Sequence, residues 1–323
     1  MKTAGSYGSK KPRSTPDNPT PDSLTPDNQG IFSRSSVRRS SVRRNTVRRN
    51  TEGVRQRPLA GKSGQISRDW LGGRQIEGKR AVIELLSSHR RKVEKLYIAA
   101  ESLHDPEMQR VVSLADSVKL QPVLLSSTDL AALARTSAPQ GVVAVAEPVV
   151  PVPLHDLCAS ATDDASNKPG LIVVLDGITD PGNLGSLIRS TECAGGTGIV
   201  LPRRRGVHLV PAAVKAAAGA VEYLPISVVP GIPSCLTELH KQGVWSICLV
   251  PGGKEDLTEL SILREPLAIV LGSEGHGVAR LTMARCDAIA SIPQAGKISS
   301  LNVAVAGAAA LYLIRYIRAA SQT

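Results

Sequence analysis

Short apolar runs alternate with amphipathic segments from residue 171 to the end of this 323-residue chain. Runs of Val, Ile and Leu predict strands, and apolar residues spaced three or four positions apart predict helices. The predicted strands lie at 171–175, 198–201, 224–229, 244–249, 267–271 and 288–292. The predicted helices lie at 184–194, 211–220, 233–241, 278–285 and 300–318. This alternation predicts an α/β domain whose mostly parallel sheet is covered by helices on both faces.

A smaller unit with the same alternation precedes this region, at residues 73–148. Its predicted strands lie at 93–99, 122–125 and 141–146, and its predicted helices at 76–86, 108–119 and 128–136. Three strands and three helices in so short a segment are typical of a compact α/β domain. The Pro-rich sequence that follows predicts a linker at 149–169, so that the second domain would span 170–323.

The last predicted helix has an unusual composition. From Leu301 to Leu313 it consists almost wholly of Ala, Val, Leu and Gly, so we expect it to be buried on most sides. Ser299 or Ser300 is placed to cap its N-terminus. Its small residues permit close approach of another backbone, including one across a dimer axis.

Basic charge is concentrated at the N-terminus. The formal net charge of the chain is +11, and residues 1–70 hold 15 Lys or Arg against 5 Asp or Glu. Thr-Pro-Asp recurs every five residues from Thr15, and Val-Arg-Arg recurs at the same spacing from Val37. That period matches neither helix nor strand, so we predict a disordered basic tail at 1–72. The acid-free block at 31–51 hints at organellar targeting, but Pro and Asp precede it, and we expect a cytoplasmic protein.

Composition excludes several function classes. No apolar run approaches the ~18 residues of a membrane span, so no membrane partner is expected. The five cysteines are scattered, with no Cys-x-x-Cys pair and no His at metal-ligand spacing, so no metal is expected. Aromatic residues make up 2% of the chain, which is too few for recognition of RNA bases by stacking on exposed rings.

Polar or Gly-rich sequence follows three of the predicted strands. The three segments are Asn183-Leu-Gly-Ser-Leu-Ile-Arg189, Leu271-Gly-Ser-Glu-Gly-His-Gly277 and Ile292-Pro-Gln-Ala-Gly-Lys-Ile-Ser-Ser-Leu-Asn-Val-Ala304. In open α/β sheets, ligands bind outside the carboxyl ends of the strands. The three segments together therefore predict one composite site.

Local structure offers alternative explanations for some of these residues. Asn183 suits a helix N-cap, and so does Ser300. Arg189 on an otherwise apolar helical segment needs an anionic partner. Asn302 within an apolar helix needs hydrogen-bond partners for its side-chain amide. The glycines of 272–277 let main-chain groups approach a ligand, but the segment lacks the Lys-Ser/Thr ending of a phosphate-binding P-loop.

In this order, the three segments resemble the motifs of the SpoU (TrmH) family of RNA ribose 2'-O-methyltransferases. Lys215-Ala-Ala-Ala-Gly-Ala220 is similar to the family's stretch between the first two motifs. Ile76-Glu-Gly-Lys-Arg-Ala-Val-Ile-Glu-Leu-Leu86 and Pro139-Gln-Gly-Val-Val-Ala144 resemble the small substrate-binding domain of the RlmB branch. The resemblance implies a C-terminal trefoil-knotted SPOUT methyltransferase domain, a smaller N-terminal L30e-like α/β domain at 73–148, S-adenosylmethionine as cofactor and a homodimer.

The resemblance also implies roles for single residues. The catalytic residues that it implies are Arg189, Asn183, Glu274, Ser300 and Asn302. The cofactor-binding residues that it implies are Gly272, Ile292, Leu301, Val250 and Gly252. The family commonly has Met where this chain has Gln294, so its adenine pocket differs there. A guanidinium keeps its proton, so we expect Arg189 to clamp a phosphate and to stabilise the developing alkoxide rather than to act as a base.

The activity expected on this basis is methylation of a ribose 2'-oxygen in large-subunit ribosomal RNA, at a guanosine. One alternative is an adenosine target in ribosomal or transfer RNA. Another is a non-catalytic RNA-binding factor of ribosome assembly. A nucleotide-dependent oxidoreductase would share the doubly wound pattern, but the Gly-x-Gly-x-x-Gly fingerprint does not follow the strand at 171–175.

Overall fold

The computed structural model describes residues 71–163 and 168–320. These residues build two sheets of different size. The predicted disordered tail lies outside the described residues except for its last two positions. There Leu71 is buried, and Gly72 pairs with Leu209 of the second predicted domain.

The smaller sheet has four strands, and three helices connect them along the chain. The strands are β1 (Gln75–Glu77), β2 (Val93–Ala99), β3 (Val123–Leu125) and β4 (Val142–Ala146). The helices are α1 (Lys79–Ser88), α2 (Pro106–Ser117) and α3 (Ser127–Leu133). The strand order is β1-β4-β2-β3, and only the β2–β3 pair is parallel. β1 was not predicted, because its three residues contain a single apolar side chain. Ile76 and Glu77 were instead predicted as the start of the helix at 76–86, which in the structure begins at Lys79.

The larger sheet has seven parallel strands, as an α/β domain requires. The strands are β5 (Leu171–Asp176), β6 (Gly198–Pro202), β7 (Ile226–Val229), β8 (Trp245–Leu249), β9 (Glu255–Asp256), β10 (Leu267–Gly272) and β11 (Ala288–Ser291). Their order is β7-β6-β5-β10-β8-β11-β9. The two-residue β9 was not predicted. The trefoil knot stays a prediction from the resemblance.

Helices cover both faces of the larger sheet. They are α4 (Leu154–Ala161), α5 (Pro181–Cys193), α6 (Pro211–Ala216), α7 (Ile232–Lys241), α8 (Arg280–Met283) and α9 (Val303–Ala320). Successive side chains of a strand point to opposite faces. Leu171 and Val173 of β5 thus pack in the core that contains α5, α6 and α9, whereas Ile172 and Val174 pack in the core that contains α4 and α7.

Helix α4 lies within residues 149–169, which the sequence analysis assigns to a linker. Its Leu157, Cys158 and Ala161 are buried against the sheet. The linker prediction is therefore wrong for these eight residues. The prolines on which the linker prediction was based lie in the extended stretch before the helix, and the helix begins directly after Pro153.

Helix α9 is less buried than the sequence analysis predicts. Gly307 lies on the side that faces α5 and β10, where a Cβ atom would come within 2.5 Å of the Leu187 side chain. On the other side, Val305, Tyr312 and Tyr316 are 54%, 49% and 74% exposed. Burial within one chain thus accounts for only part of the helix's apolar composition.

By length and composition, α9 is the one helix within residues 71–163 and 168–320 that is apolar enough to cross a membrane, with a mean hydropathy of 1.4 over 18 residues. This corrects the expectation that no segment reaches that length. The core helix of a globular protein can have the same length and mean hydropathy. Arg315 donates to the carbonyl of Cys193, and Arg318 donates to those of Pro169 and Glu265, so both arginines fasten the end of α9 to the domain. Burial lowers the pKa of Arg318 to about 10.

A buried ion pair connects the two sheets. Arg91, just before β2, donates from Nε to Oε2 of Glu222 at 2.9 Å, and its Nη2 contacts Oε1. The two side chains are only 9% and 2% exposed. Arg91 also donates to the carbonyls of Gly73 and Glu147, each at 2.7 Å. Both charges are therefore paired and hydrogen-bonded, as buried charges must be.

We predict that Glu222→Gln lowers the free energy of unfolding by about 3 kcal/mol, because it leaves the Arg91 guanidinium buried without a counter-charge. Urea unfolding monitored by circular dichroism measures the change. The matched control is Glu94→Gln, which breaks the exposed Arg74–Glu94 pair and should cost less than about 1 kcal/mol. Equal losses in the two variants would contradict the role assigned to the buried pair.

Candidate active site

Four neighbouring strands bring the polar segments to one edge of the larger sheet. In the order β5-β10-β8-β11, the strands end at Asp176, Gly272, Leu249 and Ser291. Because these strands are parallel, the loops that follow them leave from the same edge. This is the arrangement that the sequence predicts for a composite site.

The Gly-rich segment after β10 forms a tight loop. Ser273 and Gly277 exchange two backbone hydrogen bonds, with N···O distances of 3.1 and 2.8 Å. A Cβ atom on Gly272 would lie 2.1 Å from the carbonyl carbon of Gly277, so only glycine fits there. The carboxylate of Asp176 accepts a hydrogen bond from the backbone N–H of Ala279 at 2.9 Å, which holds the far end of the loop against β5.

A cavity of about 610 Å³ lies between these loops. Four of the five predicted cofactor-binding residues line it, namely Gly272, Ile292, Leu301 and Val250. Gly252 does not line it, because the turn after β8 puts Pro251 at the cavity wall instead. Further lining residues that received no individual role from the sequence are Leu249, Pro251, Leu271, Ser273, Val303 and Ala306. Leu249 and Leu271 lie at the predicted ends of strands, so their place in the sequence could have identified them as lining residues.

Three of the predicted catalytic residues form one hydrogen-bonded cluster, two of them at the wall of this cavity. Asn183 donates from Nδ2 to Oε1 of Glu274 at 2.6 Å, and Asn302 donates from Nδ2 to the same oxygen at 2.8 Å. The Asn302 amide nitrogen also lies 3.1 Å from Oδ1 of Asn183. Glu274 and Asn302 line the cavity, as does the fourth predicted residue, Ser300. The cluster thus joins α5, the loop after β10 and the start of α9.

Helix capping at α5 differs from the sequence-based interpretation of Asn183. The helix begins at Pro181, and its cap is Asp180, whose carboxylate accepts from the backbone N–H of Asn183 at 2.7 Å. Asn183 is therefore the third residue of the helix and not its cap. Its side chain is left to reach Glu274.

Helix capping at α9 differs as well. Oδ1 of Asn302 accepts from the backbone N–H groups of Ala304 and Val305 at 2.9 and 3.3 Å. Asn302 is thus the cap, and Ser299 and Ser300 lie outside the helix. The amide of Asn302 has two functions, because its oxygen caps the helix while its nitrogen joins the cluster.

Arg189 does not belong to the cluster. It is exposed on α5 and lines a groove together with Arg80 and Glu107 of the first predicted domain. Among the described residues, no carboxylate oxygen lies within 4.0 Å of its guanidinium. Burial raises the pKa of the neighbouring Cys193 thiol, which therefore supplies no negative charge at neutral pH. Because Arg189 is exposed, its charge is solvated, and the anionic partner expected from the sequence is not found among the described residues.

The cavity suits a small ligand of mixed polarity. Its wall combines apolar side chains such as Leu271 and Val303 with the polar groups of Ser300 and Asn302. Its volume is within the usual range of ligand sites, about 300–1,000 Å³. Within the described ranges, no group of three or more His, Cys, Asp or Glu residues is arranged to hold a metal ion.

Both sheets lie in segments that match known protein families. Residues 170–312 match the SpoU rRNA Methylase family, and residues 75–151 match the RNA 2'-O ribose methyltransferase substrate binding family. The 23S rRNA (guanosine-2'-O-)-methyltransferase RlmB of Ralstonia nicotianae is 35% identical over 73% of this chain and 92% of its own length. The protein of the same name from Coxiella burnetii is 36% identical over 76% of this chain and 96% of its own length.

Solved structures have the same fold. An AdoMet-bound rRNA methyltransferase from Sinorhizobium meliloti is 25% identical, with a TM-score of 0.61 over 75% of this chain and 87% of that chain. The SpoU methyltransferase AviRb from Streptomyces viridochromogenes, in complex with AdoMet, is 25% identical, with a TM-score of 0.61 over 76% and 90%. With relatives above 30% identity that align over almost their entire length, this chain belongs to the SpoU rRNA methylase family.

Proposed function

We propose that this protein transfers the methyl group of S-adenosylmethionine to the 2'-oxygen of a guanosine in large-subunit ribosomal RNA. The observation that supports this most directly is the Asn183–Glu274–Asn302 cluster beside a cavity of about 610 Å³. Both RlmB relatives are named for this guanosine reaction. The cytoplasm, where we expect the protein, is also where ribosomal RNA is available.

The residues of the cavity fit S-adenosylmethionine. Gly272 lines the cavity where β10 ends, and its missing side chain makes room for the backbone of Gly277, which also lines the cavity. Main-chain groups of this loop can therefore face an adenosyl group. Ile292, Leu301 and Val250 provide apolar surface for the ring. When bound, the cofactor supplies a methyl group made electrophilic by a sulfonium. The protein's own residues then have to orient the ribose and stabilise the oxygen.

The hydrogen-bonded cluster performs the orientation in this proposal. Two amide nitrogens, those of Asn183 and Asn302, donate to one carboxylate oxygen of Glu274. Each side chain thereby has a fixed rotamer before any RNA arrives. Glu274 and Asn302 hold these positions at the cavity wall, where a ribose must enter. A preorganised arrangement of this kind spares the reaction the reorganisation that free side chains would need.

Arg189 binds the RNA backbone in this proposal. Its guanidinium has no carboxylate oxygen within 4.0 Å among the described residues, and guanidinium groups in general are poor bases for proton abstraction. It therefore serves as a clamp for the phosphate beside the target ribose and as a stabiliser of the alkoxide. Because Arg189 lies outside the cluster of its own chain, we place its phosphate next to the cluster of a second protomer.

A homodimer is the second part of the proposal. The exposed side of α9 presents Val305, Tyr312 and Tyr316, which are apolar or aromatic and are not covered by the residues of one chain that the structure describes. A shallow depression on this side is lined by both Asn183 and Asn302, so the apolar surface borders the cluster. Exposed apolar surface next to functional residues is typical of an interaction site. A second copy seated there would bury this surface and adjoin the cluster.

The central test measures methyl transfer. We predict that purified protein incorporates label from methyl-labelled S-adenosylmethionine into protein-free large-subunit ribosomal RNA, and that mapping of 2'-O-methyl groups finds a guanosine. Asn183→Ala should lower turnover by about 100-fold, because it removes a preorganised group. Gln242→Ala is the control and should retain the rate, because it removes an exposed side-chain amide at the end of α7, before β8 and so at the opposite edge of the sheet. Labelling of an adenosine, or of transfer RNA alone, would refute the proposed target.

A second prediction separates the cofactor from the RNA. Leu301→Asp should abolish cofactor binding measured by calorimetry, because it puts a charge in the apolar part of the cavity. Ile298→Asp is the matched control, since Ile298 is 76% exposed in the same loop and does not line the cavity. Arg189→Ala should leave cofactor affinity within a few fold and abolish turnover. Loss of cofactor binding in Arg189→Ala would contradict the division of roles.

A third prediction concerns assembly. Tyr312→Asp should convert a dimer into a monomer in sedimentation experiments, because it places a charge in the apolar interface. Leu281→Asp replaces an apolar residue of similar exposure, 60%, on α8, and should leave the dimer intact. The monomeric variant should lose turnover, since Arg189 would lack the cluster of its partner. A wild-type protein that is monomeric and fully active would rule out the shared site.

A further inference from the structure

Three consecutive arginines follow β6 and have no part in the site described above. Arg203, Arg204 and Arg205 lie between Pro202, the last residue of the strand, and Gly206. All three side chains are exposed. A charge run on a surface is often only a solvated segment, so its position and rigidity decide whether it has a function.

The arginine loop, residues 203–205, is held at both ends by the backbone. The N–H of Arg203 donates to the carbonyl of Val229 at 2.7 Å, and the N–H of Val207 donates to that of Ile178 at 2.8 Å. Arg205 has a φ of 64°, in the left-handed region that few residues other than glycine adopt. Backbone of this kind persists where the surroundings fix it, and it occurs often at binding sites. The backbone of the loop is thus fixed, and it presents three arginine side chains to solvent.

The arginine loop lies at the same edge of the sheet as the cluster. β6 is the neighbour of β5, and both strands end at this edge. The space above Gly177, directly after β5, is bordered on one side by the carbonyl oxygen of Arg205 and on the other by Cβ of Ser273 in the loop after β10. A Cβ atom built on Gly177 would be 3.5 and 3.8 Å from these two atoms. One residue therefore separates the arginine loop from the loop that contains Glu274.

The positive charges of Arg204 and Arg205 are not neutralised by the carboxylates of the adjacent segment. Asp176 accepts from the backbone N–H of Ala279, and Asp180 accepts from that of Asn183. For Arg204 and Arg205, no carboxylate oxygen of residues 71–163 and 168–320 lies within 4.0 Å. Two guanidinium groups beside the site are thus free to bind an external anion.

We infer that the arginine loop binds phosphates of the nucleotides that flank the target ribose. This inference rests on the proposed function, because it assumes that the chain acts on RNA. Arginine suits this role, since its planar guanidinium group can donate two parallel hydrogen bonds to one phosphate. The loop acts beside the cluster and not within it, so it contributes to RNA affinity and register and not to cofactor binding. In this role the loop contributes no preference for base identity, because contacts to phosphates carry no sequence information.

The test uses a double variant that removes both charges and keeps the fold. Arg204→Gln with Arg205→Asn is suitable, because Asn tolerates the left-handed conformation found at position 205. The control is Lys241→Gln with Arg285→Gln, which removes two exposed charges before β8 and β11, at the opposite edge of the sheet. Each protein is assayed for KM toward protein-free large-subunit ribosomal RNA at several salt concentrations, for kcat, for cofactor Kd and for Tm.

The arginine-loop variant should raise KM for RNA about tenfold at low salt and leave kcat, cofactor Kd and Tm near those of the wild type. Its log affinity should fall less steeply with log salt, by about 1.4 in slope for two contacts to single-stranded RNA. The control variant should keep the wild-type slope. Equal slopes in all three proteins would overturn the inference while leaving the proposed function intact. A wild-type protein that methylates no RNA would instead refute the proposed function itself.

Discussion

The position of β10 between β5 and β8 is the constraint on which the rest of the site depends. Its register places Gly272 directly beside Asp176, the last residue of β5. The absence of a side chain at Gly272 lets the following loop fold back onto the strand, and the Asp176 carboxylate holds the far end of that loop. Glu274 is thereby fixed where Asn183 and Asn302 can both reach it. A bulkier residue at the end of β10 would displace Glu274 and so break its hydrogen bonds to Asn183 and Asn302.

Most of the fold could be predicted from the sequence. Apolar runs identified six of the seven strands of the large sheet, because strands buried on both faces consist of continuous Val, Ile and Leu. Elements without that signal were missed. β9 has two residues, both acidic, and α4 follows prolines that suggested a linker. The grouping of Asn183, Glu274 and Asn302 was also predictable, since parallel strands bring the loops that follow them to one edge.

The remaining features depend on contacts that a sequence does not display. Periodicity could not tell which polar residue caps a helix, so Asp180 and Asn302 were recognised as caps only from their hydrogen bonds. Nor could it show that Arg189 faces a groove away from the cavity. The small, apolar residues of α9 suggested complete burial. They instead divide between a core side and an exposed side, a distinction that depends on how the helix is oriented over the sheet.

The amide of Asn302 has a consequence for how the site responds to ligands. One planar group caps α9 through its oxygen and joins the cluster through its nitrogen. Any rotation that breaks one bond weakens the other, so order in the cluster and order in the first turn of α9 are thermodynamically linked. A ligand that stabilises the cluster therefore also stabilises the beginning of the helix, whose exposed side holds Val305 and Tyr312. A ligand bound in the cavity therefore changes the stability of a surface that it does not contact.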